Sequence, residues 1–223
     1  MPRNPKLKSL LIATKNPGKF AEISEVLGSL PIKLLSLKDL NLKDEVEEHG
    51  LTHEENAILK AQYFFEKTGL PTLGEDSGIH VDAFPGELGV QTRRWGGLEK
   101  ATDEGWIAYF LEQMQKVPDD KRGAKFVCFA ALILGRKNKF AIAPFETPSI
   151  FSGETRGIIT KNLEAPLKHG IPISSCFKPE GFYKVYAALT VEEKNKVSHR
   201  GKAMHKIKDM LKNILRAGIL LRR

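Results

Sequence analysis

The stretch Leu73-Gly-Glu-Asp-Ser-Gly-Ile-His-Val-Asp-Ala83 sets two adjacent carboxylates, Glu75 and Asp76, between short apolar segments that read as β-strand. Two side chains that repel when both are ionised need a compensating cation or a reason to hold a proton. On a rigid support carried by strands, the pair suits a divalent-metal site or a proton-abstracting base. An acidic hairpin turn is the alternative, because Asp76-Ser77-Gly78 is also ordinary turn chemistry.

Upstream, Ser9-Leu-Leu-Ile-Ala13 is a short apolar run, followed by the polar Thr14-Lys-Asn-Pro-Gly-Lys19 and by apolar residues at helical spacing from Phe20 to Leu30, with Glu22 and Glu25 facing outward. Strand, loop and helix in this order offer backbone N–H groups and the positive end of a helix dipole, a common way to hold phosphate, with Lys19 as a point charge. The Gly spacing and Lys-Ser/Thr pair of a Walker loop are absent. Asn16 as N-cap and Pro17 at the first helical position describe the same loop as a helix start, and the two roles are compatible. Ile32–Ser36 reads as a second strand. The acidic segment Asn41–His49, which carries Glu47 and Glu48, leads to Thr52-His-Glu-Glu55, a capping box. The helix that it opens runs to Lys67, with Ala57, Ile58, Ala61, Phe64 and Phe65 on one face.

Downstream, the Gly-rich Phe84–Gly97 with Arg93 and Arg94 reads as a loop folded over a pocket. Ala101–Met114 reads as an amphipathic helix capped by Thr102 or Asp103, with Trp106 and Phe110 in the core. Lys125–Leu134 and Lys139–Ala143 flank Gly135-Arg-Lys-Asn138 as a β-hairpin, with Ser149–Ser152 and Gly157–Thr160 as further strands. These antiparallel pieces predict a second lobe over roughly residues 125–165 of a single domain spanning 1–223. Ser198-His199-Arg200 opens a last amphipathic helix to about Leu215, with Ser198 as N-cap and His199 and Arg200 as donors to a ligand carbonyl or ring nitrogen.

At 223 residues and 41% hydrophobic, the chain can bury a core as one domain or as two lobes sharing a cleft. Cys128 and Cys176 match no metal or redox spacing, and the apolar run after the basic Met1–Lys6 is short and broken by Lys15. A cytoplasmic protein without membrane spans is expected. The net charge of +8 is concentrated in the last thirty or so residues, from Lys194 to Arg223. No RNA-binding aromatic signature accompanies it, so nucleic acid is not the expected partner, and a polyphosphate substrate fits the charge equally well.

Four separated segments, Thr14–Lys19, Glu48–Lys60, Gly74–Gly78 and Glu193–Ala203, together resemble the inosine triphosphate pyrophosphatase family, which hydrolyses inosine and xanthosine triphosphates. The resemblance covers nearly the whole chain. It implies an elongated α/β fold of two lobes around a long mixed sheet, a central nucleotide-binding cleft, a homodimer, and Mg²⁺-dependent cleavage between the α- and β-phosphates. It makes Thr14, Lys15, Asn16, Lys19 and Lys194 triphosphate ligands, Ser77 a nearby polar contact, and Glu48, Glu75 and Asp76 the metal set. Asp76 becomes the base for water, assisted by Lys19, while His199 and Arg200 read the purine 6-oxo edge. A triphosphate brings about four negative charges, so lysines and a divalent cation are what its site requires.

Where family members carry Phe-Gly-Tyr/Trp-Asp-Pro, an ungapped register places Ile171-Pro-Ile-Ser-Ser175, so that Ser174 stands for the acid and the aromatic platform is missing. Loss of a stacking aromatic is worth roughly 1–3 kcal/mol per base, enough to alter base preference without touching phosphate chemistry. The same departure motivates the alternative of a catalytically weak nucleotide- or RNA-binding protein that kept the fold.

Overall fold

The computed structural model describes residues 7–135 and 147–216. One mixed six-stranded sheet organises them, in the order β2-β1-β3-β4-β5-β6. β1 (Ser9–Ala13) pairs in parallel with β2 (Lys33–Ser36) and with β3 (Thr72–Val81). β3, β4 (Gly123–Ile133), β5 (Ser149–Ile159) and β6 (Phe177–Pro179) continue antiparallel. The five α-helices of the described residues are α1 (Pro17–Leu27), α2 (His53–Thr68), α3 (Asp103–Gln115), α4 (Val191–Val197) and α5 (His199–Arg216). This is the mixed α/β architecture that the motif order implies.

Strand alternation assigns the helices to faces. Leu10 and Ile12 of β1 point to one side, where they meet Ile23, Val26 and Leu27 of α1 and Ala203, Met204, Ile207 and Leu211 of α5. Leu11 and Ala13 point to the other and pack with Phe64 of α2. Gly74 lets α2 lie directly on β3, since a Cβ there would sit 2.2 Å from the Ala57 carbonyl oxygen and 2.6 Å from the Ala61 nitrogen. A separate cluster gathers Ile79, Val81 and Ala124 from the far ends of β3 and β4 with Trp106, Ile107, Phe110 and Met114 of α3 and with Ile173 and Phe177. β3 and β4 therefore run from one core to the other.

Several local expectations hold and others change. Asn16 caps α1 through Lys19 N–H, and Thr52 with Glu55 forms the complete capping box of α2. Thr102 caps α3, and the Ser198 Oγ accepts from Gly201 N–H in the first turn of α5. The two segments around the acidic pair, however, are one continuous ten-residue strand. No turn forms at Asp76-Ser77-Gly78, because every residue from Thr72 to Val81 finds a partner on β4. Ser149–Ser152 and Gly157–Thr160 likewise merge into β5, which pairs with β4 over its length. The Lys139–Ala143 strand lies outside the described residues. Among the described residues, no helix is long and apolar enough to cross a membrane.

Candidate active site

A cavity of about 900 Å³ opens between the Ala13 and Phe64 cluster and the Trp106 and Ile173 cluster, within the range of small-molecule sites. Its walls include Thr14, Lys15, Asn16 and Lys19 from the β1–α1 turn, Glu48, Lys60, Asp76 and Ser77 from the centre, and Ser174, Tyr186, Lys194, His199 and Arg200 from the C-terminal part. The expected site residues thus converge on one cleft, with Glu75 as the exception.

Because β3 is a regular strand, Glu75 and Asp76 leave it on opposite faces. Asp76 points to the α2 face and the cleft. Its Oδ1 accepts from Lys60 Nζ at 3.1 Å and its Oδ2 lies 2.6 Å from His53 Nδ1. Burial alone would raise its pKa; the His53 hydrogen bond and the Lys60 and Lys19 charges outweigh that and bring it down to about 2. Glu75 points to the α5 face, where its Oε1 accepts from Arg200 Nε and Nη2, both at 3.1 Å, and Lys19 Nζ stands 3.0 Å from its Oε2. Burial of Glu75 is again overcome, here by Arg200, Lys19 and Lys60, so its carboxyl lies well below the usual range.

The expected three-carboxylate metal set therefore does not converge: among the described residues no three His, Cys, Asp or Glu side chains form a ready cation cage. Glu48 and Asp76 do meet, through a cation of the chain's own. Lys60 Nζ donates to Glu48 Oε1 at 2.9 Å as well as to Asp76 Oδ1. The acidic segment that carries Glu48 has one side docked, by Lys15 to Glu45 at 3.1 Å, by Lys67 and Tyr63 to Asp44, and by Val46 packed against the apolar cluster below, while its alternate residues stay exposed.

The residues expected to meet triphosphate and base have equally specific surroundings. Asn16 Nδ2 donates to the Gly170 carbonyl at 2.7 Å, tying the α1 start to the 168–171 turn. Gly170 has φ +77°, and a Cβ there would sit 2.4 Å from Asn16 Oδ1. The turn's other anchor is Asp103 of α3, whose Oδ2 accepts from Gly170 N–H at 2.6 Å. Lys15 reaches out to the Lys43 carbonyl at 2.8 Å. Thr14 Oγ1 accepts from Asn16 N–H at 3.2 Å. Ser174 is buried, and its hydroxyl donates to the Ile171 carbonyl at 2.7 Å within a 3₁₀ turn, Pro172–Ser175.

Two expectations need correction. Glu22 does not face outward: it is buried, ion-paired to Lys194 and Arg200, and lines the cleft. Burial would raise its pKa, but Arg200 and Lys194 hold it at about 2. Arg200 is not a free base reader. It is buried and spends its donors on Glu75, on Glu22 and on Ser77 Oγ at 2.7 Å, a network that leaves its guanidinium a strut between β3 and α1. His199, the neighbouring residue, also lines the cleft. Burial, aided by the Arg200 charge, holds its pKa well below the ordinary value, so the imidazole is neutral, and its Nδ1 has no hydrogen-bond partner. It stacks on Phe126 at 4.6 Å with 11° between planes, and Tyr186 lies near-parallel at 6.2 Å.

Lys60, His53, Phe126 and Tyr186 were not among the expected site residues. For two of them a signal was present. Positions 53, 57, 60, 61 and 64 share the buried face of α2, and a His and a Lys on such a face need buried partners. Phe126 and Tyr186 gave no such signal, since an aromatic in a strand or loop reads as core.

The chain is similar to known proteins over nearly its whole length. A family model described as the Ham1 family matches residues 10–210. A dITP/XTP pyrophosphatase of Geobacter sulfurreducens is 40% identical over 203 residues, 91% of this chain and 96% of that protein. Another, from Aquifex aeolicus, is 39% identical over 216 residues, 93% and 98% of the two chains. Among solved structures, a HAM1 protein from Coxiella burnetii superposes with a TM-score of 0.73 at 32% identity, covering 92% of this chain and 99% of its own.

Proposed function

Since the chain belongs to the Ham1 family, we propose that it hydrolyses nonstandard purine nucleoside triphosphates, ITP, dITP and XTP, to the monophosphate and pyrophosphate. The observation that carries this reading is Asp76, an ionised carboxylate on the wall of a nucleotide-sized cleft, with an ammonium between it and Glu48. The relatives named as dITP/XTP pyrophosphatases supply the substrate class.

In this reading the α1 start, with Thr14, Asn16 and Lys19, takes the phosphate chain, and Lys194 and Lys15 add charge at its edges. Asp76 accepts a hydrogen bond from the attacking water, aims its oxygen at the α-phosphorus and takes its proton as the bond to the bridging oxygen of the β-phosphate breaks. The pyrophosphate leaves with the electron pair of that bond. A carboxylate with a pKa of about 2 is a weak base. Mg²⁺, when bound, would make the water more acidic and neutralise phosphate charge. Glu48 and Asp76 fit that ion, because a cation already bridges them in the form of Lys60. Glu75, turned to the opposite face, supplies the counter-charge that keeps Arg200 and Lys19 in place.

His199, on its Phe126 and Tyr186 neighbours, would meet the base. With the one N–H of its neutral ring turned to the base, it would donate to a 6-oxo acceptor and not to a 6-amino donor. Ser174 and Ile171 line the same end in place of a stacking aromatic. A homodimer and a cytoplasmic location follow from the family reading, and the buried free thiols Cys128 and Cys176 are in keeping with a reducing compartment. Light scattering on the purified chain tests the dimer. The activity is tested by pyrophosphate release from ITP, XTP, dITP and ATP with and without Mg²⁺; release from none of them would remove the proposal.

A further inference from the structure

His53 is the first residue of α2, directly after the N-cap Thr52, and its imidazole is buried against β3. The carboxylate of Asp76 can only accept, so the 2.6 Å contact makes His53 Nδ1 the proton-bearing nitrogen, donating to Oδ2. Lys60 donates to the other oxygen at 3.1 Å. Positions 53 and 60 are two helical turns apart and leave α2 on the same side. The close seating of α2 on β3 at Gly74 brings both side chains to the strand. Asp76 is therefore held by both oxygens, from one helix.

The two holds differ. Lys60 is a flexible stem with a rotatable ammonium, and it is shared with Glu48. The imidazole is a rigid plane. His53 Nε2 is buried with no hydrogen-bond partner, and the edge of His80 packs against the ring, centroids 6.1 Å apart at 86°. Its one hydrogen bond is spent on Asp76. A carboxylate fixed in plane in this way keeps its remaining lone pairs aimed at one point in the cleft, as the orientation of an attacking water requires.

We propose that His53 is a positioning residue for the reaction, locking the Asp76 carboxylate in the rotamer that aims the water at the α-phosphorus. The inference rests on the reading of Asp76 as the group that orients that water. Steady-state kinetics with ITP on His53→Phe, His53→Asn and Asp76→Asn test it, together with calorimetric binding of a non-hydrolysable triphosphate analogue. His53→Phe removes the donor and keeps a buried ring; His53→Asn keeps an N–H close to the place of Nδ1. We expect His53→Phe to lower kcat roughly 10- to 100-fold, as loss of catalytic alignment does, with KM and analogue affinity within about twofold. His53→Asn should regain most of that loss. A merely structural histidine would instead lower Tm in both variants without an Asn-specific recovery of kcat, and that pattern would overturn the inference. So would an unchanged kcat in His53→Phe beside an inactive Asp76→Asn, which would leave the role of Asp76 standing. Full turnover in Asp76→Asn would remove the underlying reading and this inference with it. Should His53→Phe fail to fold, His53→Gln replaces it: its amide reaches to the place of Nε2, and the ordering Asn above Gln in kcat is the expected result, equality the contrary one.

Discussion

The two ends of the cleft are built by different means. At the end proposed for phosphate, one turn and two elements, the β1–α1 loop with α2 and β3, bring together Asn16, Lys19, Lys60 and Asp76, and nearly every charge is answered by a neighbour at 2.6–3.1 Å. At the end proposed for the base the parts come from β4, the 168–175 turn, the 3₁₀ turn at Tyr186 and α5, and the contacts are mostly stacking and packing. Charge chemistry tolerates little displacement and is carried by short contiguous motifs. Apolar recognition needs only surfaces of the right shape, so it can be assembled from distant segments and can lose one aromatic and use others.

The sharpest way to break that contrast is Asp76→Asn. It removes the acceptor and proton sink while keeping size, and kcat should fall on the order of 10²- to 10⁴-fold with analogue binding by calorimetry retained. Full turnover would move the chemistry away from β3. Next in size is Glu22→Ala, which strips a buried carboxylate from Lys194 and Arg200. Breaking a buried pair by removing one partner costs about 3–5 kcal/mol, to be read as a shift in urea midpoint. A change below about 1 kcal/mol would show that the network is not what joins α1 to α5.

At the base end, Phe126→Leu keeps the strand and removes the ring under His199. Loss of stacking of about 1–3 kcal/mol corresponds to roughly a 5- to 150-fold fall in kcat/KM for ITP, with kcat/KM for ATP changed less. Equal falls for both would separate the ring from base choice. A further effect is on stability in acid. Glu22, held at about 2 against an ordinary 4.5 by its two cations, contributes stability that is fully present above about pH 5 and is lost as pH falls towards 2. Thermal melts between pH 6 and 3 should show Tm falling for the wild type and a shallower fall for Glu22→Gln.

The residues of the phosphate end were legible from local pattern. The N-cap Asn16, the capping box at Thr52 and the acidic pair are statements about neighbours in the chain, and all lie where spacing put them. The misreadings came from the same locality. Glu22 looked solvated because helical periodicity says which side a residue is on, not what covers that side, and α4 and α5 bring the covering cations from far along the chain. The turn alternative at Asp76-Ser77-Gly78 also rested on local propensity, whereas pairing with β4, some fifty residues later, extends the strand through it.

What the sequence determined by itself was the kind of chemistry: adjacent acids, a lysine-bearing helix start and a Ser-His-Arg helix entry at family spacing, enough to place the chain among nucleoside triphosphate pyrophosphatases. Only the tertiary structure decided how the two acids are divided between the faces of the sheet. Side chains on a strand alternate, so the continuity of β3 turns Glu75 to Arg200 and leaves Asp76 as the one acid of the pair on the cleft wall, facing His53 and Lys60.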